Sequence, residues 1–425
     1  MGRGLRLTLL VLGILVIAGG GAGLALAWNL RQSGPNVAQQ RVPANDRLPP
    51  ASHTATNPTS GPATLSPDPD YLDELAGSGI STSGWKTDFT RHTVPYAEIL
   101  SGGVPRDGIP PIDSPSFSTV EAADSWLAER EPVIVLEIND DARAYPLQIM
   151  TWHEIVNDTV GGEPVVVTFC PLCNSAIAFH RRMGDVVYDF GVSGKLRNSD
   201  LIMWDRQTES WWQQFTGEAI VGDLAGMRLD MLPAVIISWS DFKSAYPEGQ
   251  VLSQDTGFSR PYGRNPYAGY DDVGNTPFLF RGDPDQRLLP MERVVAVTID
   301  NAPVAFPFSV LEREKTINYQ HGDQNLVVFF KPGTASALDQ SSIKDSRDVG
   351  AASVFIPGID DRNLTFRAAG NSFVDNQTGS VWNILGQCVS GPLSGERLTP
   401  AVHGSHFWFA WGAFHPETVV YQGTG

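Results

Sequence analysis

The chain of 425 residues is long for one domain, and 42% apolar residues are enough for more than one hydrophobic core. Its formal net charge of −17 repels nucleic acid and anionic surfaces, so nucleic acid is excluded as the expected partner. We expect no nucleotide cofactor either.

The N-terminal residues 1–30 form a predicted transmembrane anchor or signal peptide. Two arginines precede an uncharged apolar run over residues 7–28, which is long enough to cross a bilayer. Residues 25–27 (Ala-Leu-Ala) offer a cleavage step, so export after cleavage stays open. Residues 31–70 are rich in Pro, Ser and Thr, which predicts a disordered tether. We therefore expect a single span of the cell membrane with the folded part extracytoplasmic.

The rest of the chain carries a predicted internal duplication. EPVIVLEINDDARAYPLQIM, beginning at Glu131, resembles ERVVAVTIDNAPVAFPFSVL, beginning at Glu292, and the offset from 131 to 292 is 161 residues. Later segments match in the same order, such as GEAIVGDLAGMRL from Gly217 and GQCVSGPLSGERL from Gly386. We predict two copies of one domain. The predicted boundaries are a lead-in over 71–118, repeat 1 over 119–253, a Gly/Pro/Tyr-rich connector over 254–287 and a degenerate repeat 2 over 288–423.

Short apolar runs between Gly and Pro residues predict strands within each copy, for example VIVLEI and PVVVTF. LIMWD-RQTE-SWWQQ, beginning at Leu201, predicts a hairpin around a polar turn. HEIVND and DFKSAY predict short helices. The expected fold class is mainly β with short helices, with α+β as the alternative, in two tandem β-rich copies behind the N-terminal anchor.

Two of the three cysteines stand in a Cys-x-x-Cys step, at Cys170 and Cys173. Two intervening residues let both sulfurs face one side, and Pro171 tightens the turn. Three interpretations stay open: a structural disulfide, a reversible redox pair and a metal site. At the same offset the second copy has Lys331 and Thr334, so only the first copy carries reactive side chains here.

His153 is the predicted third metal ligand, because it lies upstream of the cysteines across a predicted strand turn. Met150 and Glu154 flank it as candidates for a fourth position. Two thiolates with an imidazole or thioether suit copper or zinc, so the expected cofactor is one ion of either metal. If the site is catalytic, Glu154 or Asp158 is the candidate for proton transfer.

The connector segment TGFSRPYGRNPYAGY, residues 256–270, concentrates hydrogen-bond donors. Arg260, Tyr262, Arg264 and Asn265 are the predicted substrate-binding residues, because guanidinium groups on a shaped loop can clamp a carboxylate or phosphate. The alternative is a structural loop whose arginines join the two copies through acidic partners. The expected partner is a small molecule or a protein of the cell envelope.

The blocks YPLQIMTWHEIVND, VTFCPLCNSAIAFHR and FGVSGKLRNSDLIMWDRQTESWW resemble the bacterial and archaeal family catalogued as domain of unknown function 3179. The resemblance extends from about Thr93 to Tyr421, and its most specific pieces are CPLC and HEIVND. It implies an exported or membrane-tethered protein and supplies no activity. The matching residues are His153, Glu154, Asn157, Asp158, Cys170, Pro171 and Cys173.

The sequence therefore predicts a membrane-tethered extracytoplasmic protein that binds copper or zinc through a Cys-x-x-Cys/His site. Two alternatives stay open. One is a thiol–disulfide redox protein that uses Cys170 and Cys173, and the other is a noncatalytic binding module of the envelope with a structural disulfide. Whether the chain is an enzyme is left open.

Overall fold

A computed structural model describes residues 65–423. The predicted anchor over residues 1–30 and the predicted tether as far as residue 64 lie outside the described residues. From Leu65 onward the chain forms one unit. Within the described range, no helix is both long and apolar enough to cross a membrane.

The described residues confirm the mainly β class, because strands dominate and the longest of the six α-helices in this range has eight residues. The helices are α1 (Tyr71–Ser78), α2 (Val120–Ala123), α3 (Leu147–His153), α4 (Trp239–Ala245), α5 (Phe308–Glu314) and α6 (Trp408–Phe414), and the 3₁₀ turns are Tyr96–Glu98 and Ile343–Asp345. The strands are β1 (Ile99–Ser101), β2 (Phe117–Thr119), β3 (Pro132–Ile138), β4 (Asp141–Pro146), β5 (Ile155–Val160), β6 (Glu163–Cys170), β7 (Ser175–His180), β8 (Arg182–Met183), β9 (Val186–Val187), β10 (Phe190–Arg197), β11 (Asp200–Asp205), β12 (Trp211–Gln213), β13 (Ala219–Val221), β14 (Met231–Leu232), β15 (Val235–Ser238), β16 (Gln250–Leu252), β17 (Arg293–Ile299), β18 (Ala302–Pro307), β19 (Thr316–His321), β20 (Gln324–Lys331), β21 (Ala351–Ile356), β22 (Gly358–Ile359), β23 (Arg362–Asn363), β24 (Phe366–Ala369), β25 (Ser372–Asp375), β26 (Val381–Trp382), β27 (Cys388–Ser390), β28 (Thr399–Pro400), β29 (His403–Phe407) and β30 (Val419–Val420).

Tight two-residue turns of Asn and Asp build the first hairpin of each sequence copy. β3 and β4 are antiparallel and joined by Asn139 and Asp140, whose φ angles are 50° and 65°. β17 and β18 are joined in the same way by Asp300 and Asn301, at 49° and 62°. Positive φ at both positions is the type I′ geometry that matches strand twist, and Asn and Asp tolerate it.

The order of elements recurs along the chain. β3, β4, α3, β5 and β6 have 7, 6, 7, 6 and 8 residues. β17, β18, α5, β19 and β20 have the same lengths in the same order. The predicted hairpin around RQTE is present as β11 and β12, and β25 and β26 form the corresponding hairpin later in the chain. We refer to residues 119–253 as the first half and to residues 288–423 as the second half.

Each half contains three sheets of four or five strands and one two-stranded sheet, β8-β9 in the first half and β22-β23 in the second. The larger sheets of the first half have the strand orders β15-β3-β4-β16-β2, β14-β7-β6-β5 and β1-β10-β11-β12-β13. Those of the second half have the orders β29-β17-β18-β30, β19-β20-β21-β28 and β24-β25-β26-β27. The lead-in supplies β1, which pairs with β10, and β2, which pairs with β16. The lead-in is therefore part of the sheets of the first half.

The two halves pack together through reciprocal strands. β7 of the first half contacts β29 of the second, and β15 of the first contacts β21 of the second. One apolar core contains side chains from both halves, including Phe169, Phe179, Phe407 and Trp408. Cys170 and Cys173 belong to this shared core.

The connector has neither helix nor strand between β16 and β17, and buried polar contacts fix it. Asp271 accepts hydrogen bonds from Arg293 at 2.7 Å and Ser336 at 2.5 Å, and it pairs with Arg347 at 2.9 Å. Burial raises the pKa of Asp271, but the charges of the two arginines outweigh burial and hold the pKa below its usual value. The connector thus supplies the acid, and the second half supplies the arginines.

Candidate functional site

The Cys-x-x-Cys step forms the loop of a hairpin. β6 ends at Cys170, β7 begins at Ser175, and these two residues pair across the hairpin. The loop is closed by a hydrogen bond from the backbone N–H of Cys173 to the carbonyl of Cys170, at 3.2 Å. The sulfurs of Cys170 and Cys173 lie 3.9 and 3.6 Å from the carbonyl oxygen of Ser199. Both cysteines are buried free thiols.

Asp200 lies beside the two thiols. The turn between β10 and β11 is formed by Asn198 and Ser199, whose φ angles are 52° and 65°, and Asp200 is the first residue of β11. One carboxylate oxygen of Asp200 and the two sulfurs all lie within 4.8 Å of one another. The Oδ2 atom accepts hydrogen bonds from the Gln213 side chain at 2.6 Å and the Phe215 backbone at 3.0 Å. The Oδ1 atom is buried without a hydrogen-bond partner among residues 65–423.

Glu154 brings a second carboxylate to this region. It ends α3 with a φ of 60°, and its backbone N–H donates to the carbonyl of Met150 at 2.8 Å. Lys315 ends α5 in the same way, with a φ of 61°. The left-handed backbone is therefore common to the ends of α3 and α5 and is not specific to Glu154. The buried carboxylate is what distinguishes the first half, because Glu154 is only 7% exposed.

The pKa values show that these acids crowd one another. Burial raises the pKa of Asp200 to about 7. Burial and then the charge of Asp200 raise the pKa of Glu154 to about 8. Burial also raises the thiol pKa of Cys170, and that of Cys173 still further. After burial, the causes of these shifts are the other acids of the cluster and hydrogen bonds to neutral groups or to one another.

Two connector tyrosines cover the cluster. The hydroxyl of Tyr267 hydrogen-bonds to Glu154, which lowers the pKa of that carboxyl. Burial, followed by the charges of the nearby acids, raises the pKa of Tyr267 well above its usual value. The Tyr270 hydroxyl accepts a hydrogen bond from the backbone of Phe278 at 3.2 Å, and the hydroxyl of Ser199 donates to the carbonyl of Phe278. The connector is therefore one wall of the site.

His153 is not brought to the cysteines. Its Nδ1 donates to the carbonyl of Pro110 at 2.7 Å, and its Nε2 lies 2.7 Å from the hydroxyl of Tyr262. Burial lowers the pKa of His153 to about 4, so the ring is neutral at neutral pH. Met150 is fully buried in the same apolar core as the cysteines. The predicted donors are brought together only in part, because the residue beside the two sulfurs is Asp200 and not His153.

The two candidates for proton transfer have different surroundings. Asp158 pairs with Arg143 at 2.8 Å and accepts a hydrogen bond from the hydroxyl of Tyr145 at 2.6 Å. Its carboxylate is therefore committed to a buried ion pair. Glu154, in contrast, is coupled to Asp200 and shares the environment of the thiols.

Arg260 and Tyr262 lie near His153 rather than near the thiols. The hydroxyl of Tyr262 stands between His153 Nε2, at 2.7 Å, and Thr256 Oγ1, at 2.5 Å. The charge of Arg260 contributes to lowering the pKa of His153. The Nε atom of Arg260 is buried and has no hydrogen-bond partner within the described range.

Asn265 and Arg264 have structural surroundings. The side-chain amide of Asn265 donates to the carbonyl of Gln340 at 3.0 Å, and its oxygen accepts from the backbone of Tyr267 at 2.7 Å. The side chain of Asn265 therefore ties the connector to the second half. Arg264 is exposed, and its carbonyl accepts a hydrogen bond from Trp152 at 3.1 Å. The four predicted substrate-binding residues do not form one clamp.

Asp200 is the site residue that sequence analysis missed. Its signal was an acid at the start of the apolar run DLIMWD, all six residues of which are buried. An acid in such a strand needs a partner or a proton, because burying an unpaired carboxylate is costly. That argument would have marked Asp200 as a candidate before its neighbours were known.

The fold and the site define a class: a β-rich protein of two packed halves, with two thiols and two carboxylates buried in the first half. The chain belongs to the family described as protein of unknown function (DUF3179), whose model matches residues 106–418. This match confirms the resemblance seen in the sequence. Comparisons with curated proteins and with solved structures give no match.

Proposed function

We propose that Cys170, Cys173 and Asp200 bind one copper or zinc ion in the core of the first half. The observation that carries the proposal is that two sulfurs and a carboxylate oxygen lie within 4.8 Å of one another. The buried carboxylate of Asp200 supports it, because its neighbouring donors include the thiols of Cys170 and Cys173, whose protons a metal ion would replace. Thiolate ligands favour Cu(I) and Zn(II) over harder metals.

The electrostatics favour a metal over a reactive redox pair. Reactive thiols have a lowered pKa and access to solvent, whereas burial raises the pKa of both cysteines here. Their exposures are 2% for Cys170 and 0% for Cys173. A bound cation reverses this preference, because it stabilises thiolates and carboxylates together. Glu154 is the further carboxylate that could complete the ligand set or hold a proton beside it.

We also propose that the two halves are copies of one domain, of which only the first keeps the site. β20 ends at Lys331 where β6 ends at Cys170, and Lys331 forms an ion pair with Asp241. Lys315 stands at the position of Glu154. The equal lengths of the corresponding elements support the duplication, and the loss of acids and thiols supports a site in one copy.

The proposed location is extracytoplasmic, with the chain held at the cell membrane by residues 1–30. The support is the sequence of that segment, in which two arginines precede a long uncharged apolar run. A small molecule or an envelope protein stays the proposed partner.

The test is metal stoichiometry on the full-length protein, purified anaerobically without added metal or chelator. We expect about one copper or zinc per chain in the wild type, because thiolate sites of this kind bind such ions tightly. Cys170→Ser and Asp200→Asn should each abolish or strongly reduce binding. The matched control is Cys388→Ser, since Cys388 lies in the second half with its sulfur 3.5 Å from the carbonyl of Ser390.

Two results would contradict the proposal. One is a folded wild-type protein that binds neither metal after reconstitution under reducing conditions. The other is equal binding in Asp200→Asn and the wild type, which would remove the carboxylate from the ligand set. An oxidised Cys170–Cys173 pair that resists metal loading would favour the structural disulfide.

A further inference from the structure

Two clefts lie at corresponding places in the two halves and differ greatly in size. The open cleft, of about 410 Å³, is lined by β29 and α6 of the second half and by Phe215 and Ile177 of the first. The closed cleft, of about 120 Å³, is lined by Val235 of β15, Tyr246 after α4, and Leu385 of the second half. Neither cleft contributes a ligand to the proposed metal site, so this inference is independent of that proposal.

Strand register establishes that the two clefts correspond. In the open cleft Ala296 of β17 pairs with Gly404 of β29. In the closed cleft Val135 of β3 pairs with Val235 of β15. Ala296 and Val135 are the fourth residues of strands of equal length, so Gly404 corresponds to Val235. Gly404 leaves room for the ring of His406, because a Cβ at this position would lie 2.4 Å from the Nε2 atom of that ring.

An ion pair lies at the closed cleft, whose lining includes Glu137 and Tyr246. Arg397 donates to both carboxylate oxygens of Glu137, at 2.5 and 2.6 Å. The hydroxyl of Tyr246 donates to the same carboxylate at 2.5 Å. These three side chains come from both halves and join them beside the cleft.

The open cleft lacks this ion pair. Thr298 and His415 stand in place of the acid and the tyrosine. Arg228, which corresponds to the arginine of the closed cleft, pairs instead with Glu218 at 3.3 Å and leaves 67% of its side chain exposed. His403 lines both clefts, so of two neighbouring and corresponding clefts only the smaller one carries this ion pair.

Aromatic rings form the walls of the open cleft. Phe215 and Phe414 stack with centroids 4.6 Å apart and planes 15° apart. His406 stacks on Trp411 at 5.5 Å, and Trp411 contacts His415 at 4.1 Å. Phe215 also lies 4.7 Å from His406, so these rings form one continuous aromatic surface, on which a planar apolar group can stack.

Neutral histidines supply the polar part of the open cleft. Burial lowers the pKa of His406 to about 3 and that of His403 to about 4, so both rings are uncharged at neutral pH. Nδ1 of His406 lies 3.1 Å from the hydroxyl of Ser175, and within residues 65–423 nothing hydrogen-bonds its Nε2. Nδ1 of His403 donates to the carbonyl of Ala401, and its buried Nε2 is an acceptor without a partner among the residues that the structure describes.

A metal is not the expected occupant of the open cleft. Among the described residues, the donor atoms that converge to within 4.8 Å are those of the cysteine–aspartate group, and these histidines are not part of it. An anion is not expected either, because the histidines are neutral and the one arginine at the mouth is paired. The geometry points to a neutral, planar, largely apolar small molecule with a hydroxyl or amine group, stacked on the aromatic surface of the open cleft and hydrogen-bonded to His406.

The test compares three probes of one shape by isothermal titration calorimetry on the full-length protein: 1-naphthol, naphthalene and 1-naphthoate. We expect 1-naphthol to bind about tenfold more tightly than naphthalene, the effect of one satisfied hydrogen bond. We expect 1-naphthoate to bind more weakly than both. In His406→Phe, which keeps a ring of similar size, the preference of 1-naphthol over naphthalene should disappear.

A second variant copies the closed cleft into the open one. Thr298→Glu with His415→Tyr gives Arg228 the partners that its counterpart has, and should weaken 1-naphthol binding at least tenfold. The matched control is Glu137→Gln, which breaks the ion pair of the closed cleft and should leave 1-naphthol binding unchanged.

Three results would each overturn the inference. They are unchanged 1-naphthol binding in the double variant, equal affinity of the wild type for 1-naphthol and naphthalene, and preferred binding of 1-naphthoate. If the double variant does not fold, the comparison of probes in the wild type and His406→Phe decides.

Discussion

At the scale of single residues, the environment sets the chemistry of each acid. Asp200 and Asp375 are both almost fully buried, yet their pKa values move in opposite directions. Burial dominates for Asp200, whereas for Asp375 hydrogen bonds from Trp382 and Thr378 outweigh burial and lower the pKa. Residue type alone would have assigned the two the same role.

This difference predicts opposite pH dependence of stability in the metal-free protein. The pKa of Asp200 rises from 3.8 to about 7 on folding, so the folded state binds the extra proton. Its stabilising contribution is complete below the unfolded pKa and is lost as the pH rises through 7. Between pH 4 and 8, Asp200→Asn should therefore gain stability relative to the wild type, on the order of 3 kcal/mol.

Urea unfolding with a chelator present, at steps across that range, measures the difference. Asp375→Asn is the control of opposite sign, since a lowered pKa stabilises above the unfolded pKa and that stability is lost as the pH falls. Parallel pH profiles for Asp200→Asn and the wild type would show that Asp200 is not protonated in the fold.

Metal affinity should itself depend on pH. Binding requires deprotonated thiols and carboxylates, so protons compete with the metal. The pKa of Asp200 is about 7 and that of Glu154 about 8, so affinity should rise steeply from pH 6 to 8.5, by about tenfold per proton released per pH unit. Competition with a chromophoric chelator at each pH measures the slope. A flat profile would mean that no group of this cluster releases a proton.

At the scale of elements, two turn glycines with positive φ differ in how crowded their surroundings are. Gly217 has a φ of 68°, and a Cβ on it would lie 2.7 Å from the buried ring of Phe179. Gly379 has a φ of 74° but nothing within 4 Å of such a Cβ. The two positions therefore separate the cost of the backbone conformation from the cost of crowding.

Alanine at each position should show that separation. Gly379→Ala should lower the free energy of unfolding by about 1 kcal/mol, the cost of a left-handed backbone for a residue with a Cβ. Gly217→Ala carries the same cost and a further 1–3 kcal/mol, roughly, for overpacking the ring. Urea unfolding of the two variants gives the comparison. Equal losses would mean that Phe179 moves aside at no cost.

Local patterns predicted several elements correctly: VIVLEI lies in β3, the RQTE hairpin is present as β11 and β12, and DFKSAY overlaps α4. HEIVND was predicted to be helical, but the helix ends at His153 and Ile155–Val160 is a strand. The helix before it, Leu147–His153, has six of its seven residues buried, so it lacks the polar face that makes a helix visible in a sequence.

At the scale of the whole molecule, buried ion pairs hold the connector in place. Asp271 is 1% exposed and pairs with Arg293, which is 8% exposed. Removing one partner of a buried pair leaves the other charge uncompensated, and this is far more costly than losing an exposed pair. The connector also carries Tyr267 over the thiol cluster, so its fixation bears on the site.

Asp271→Ala should therefore lower the free energy of unfolding by about 3–5 kcal/mol. Lys243→Ala breaks two exposed ion pairs, with Asp124 and Glu129. It should lower the free energy of unfolding by less than about 1 kcal/mol. Chemical denaturation of both variants is the measurement. A small loss in Asp271→Ala would mean that the arginines find other partners or reach water.

The site could be predicted only in part because its members are distant in the chain. Cys170 and Cys173 were found because their spacing is a local signal. Asp200 lies close to the two thiols only because the β10–β11 hairpin packs against the Cys-x-x-Cys loop. No local sequence pattern predicts that contact. His153 was expected beside the thiols, but its ring turns towards Pro110 and Tyr262, and the direction of a side chain at a helix end is set by packing. The family match adds no chemistry to this reading.

The reciprocal contacts of β7 with β29 and of β15 with β21 are those of an isologous interface, as found in a two-fold homodimer. In a homodimer every substitution appears twice, so both clefts and both hairpin loops would have to change together. A single chain is free of that symmetry: each half can vary alone while the interface between them is kept. One cleft with an ion pair and one without, and a Cys-x-x-Cys pair in one half alone, are an asymmetry that two identical subunits could not encode.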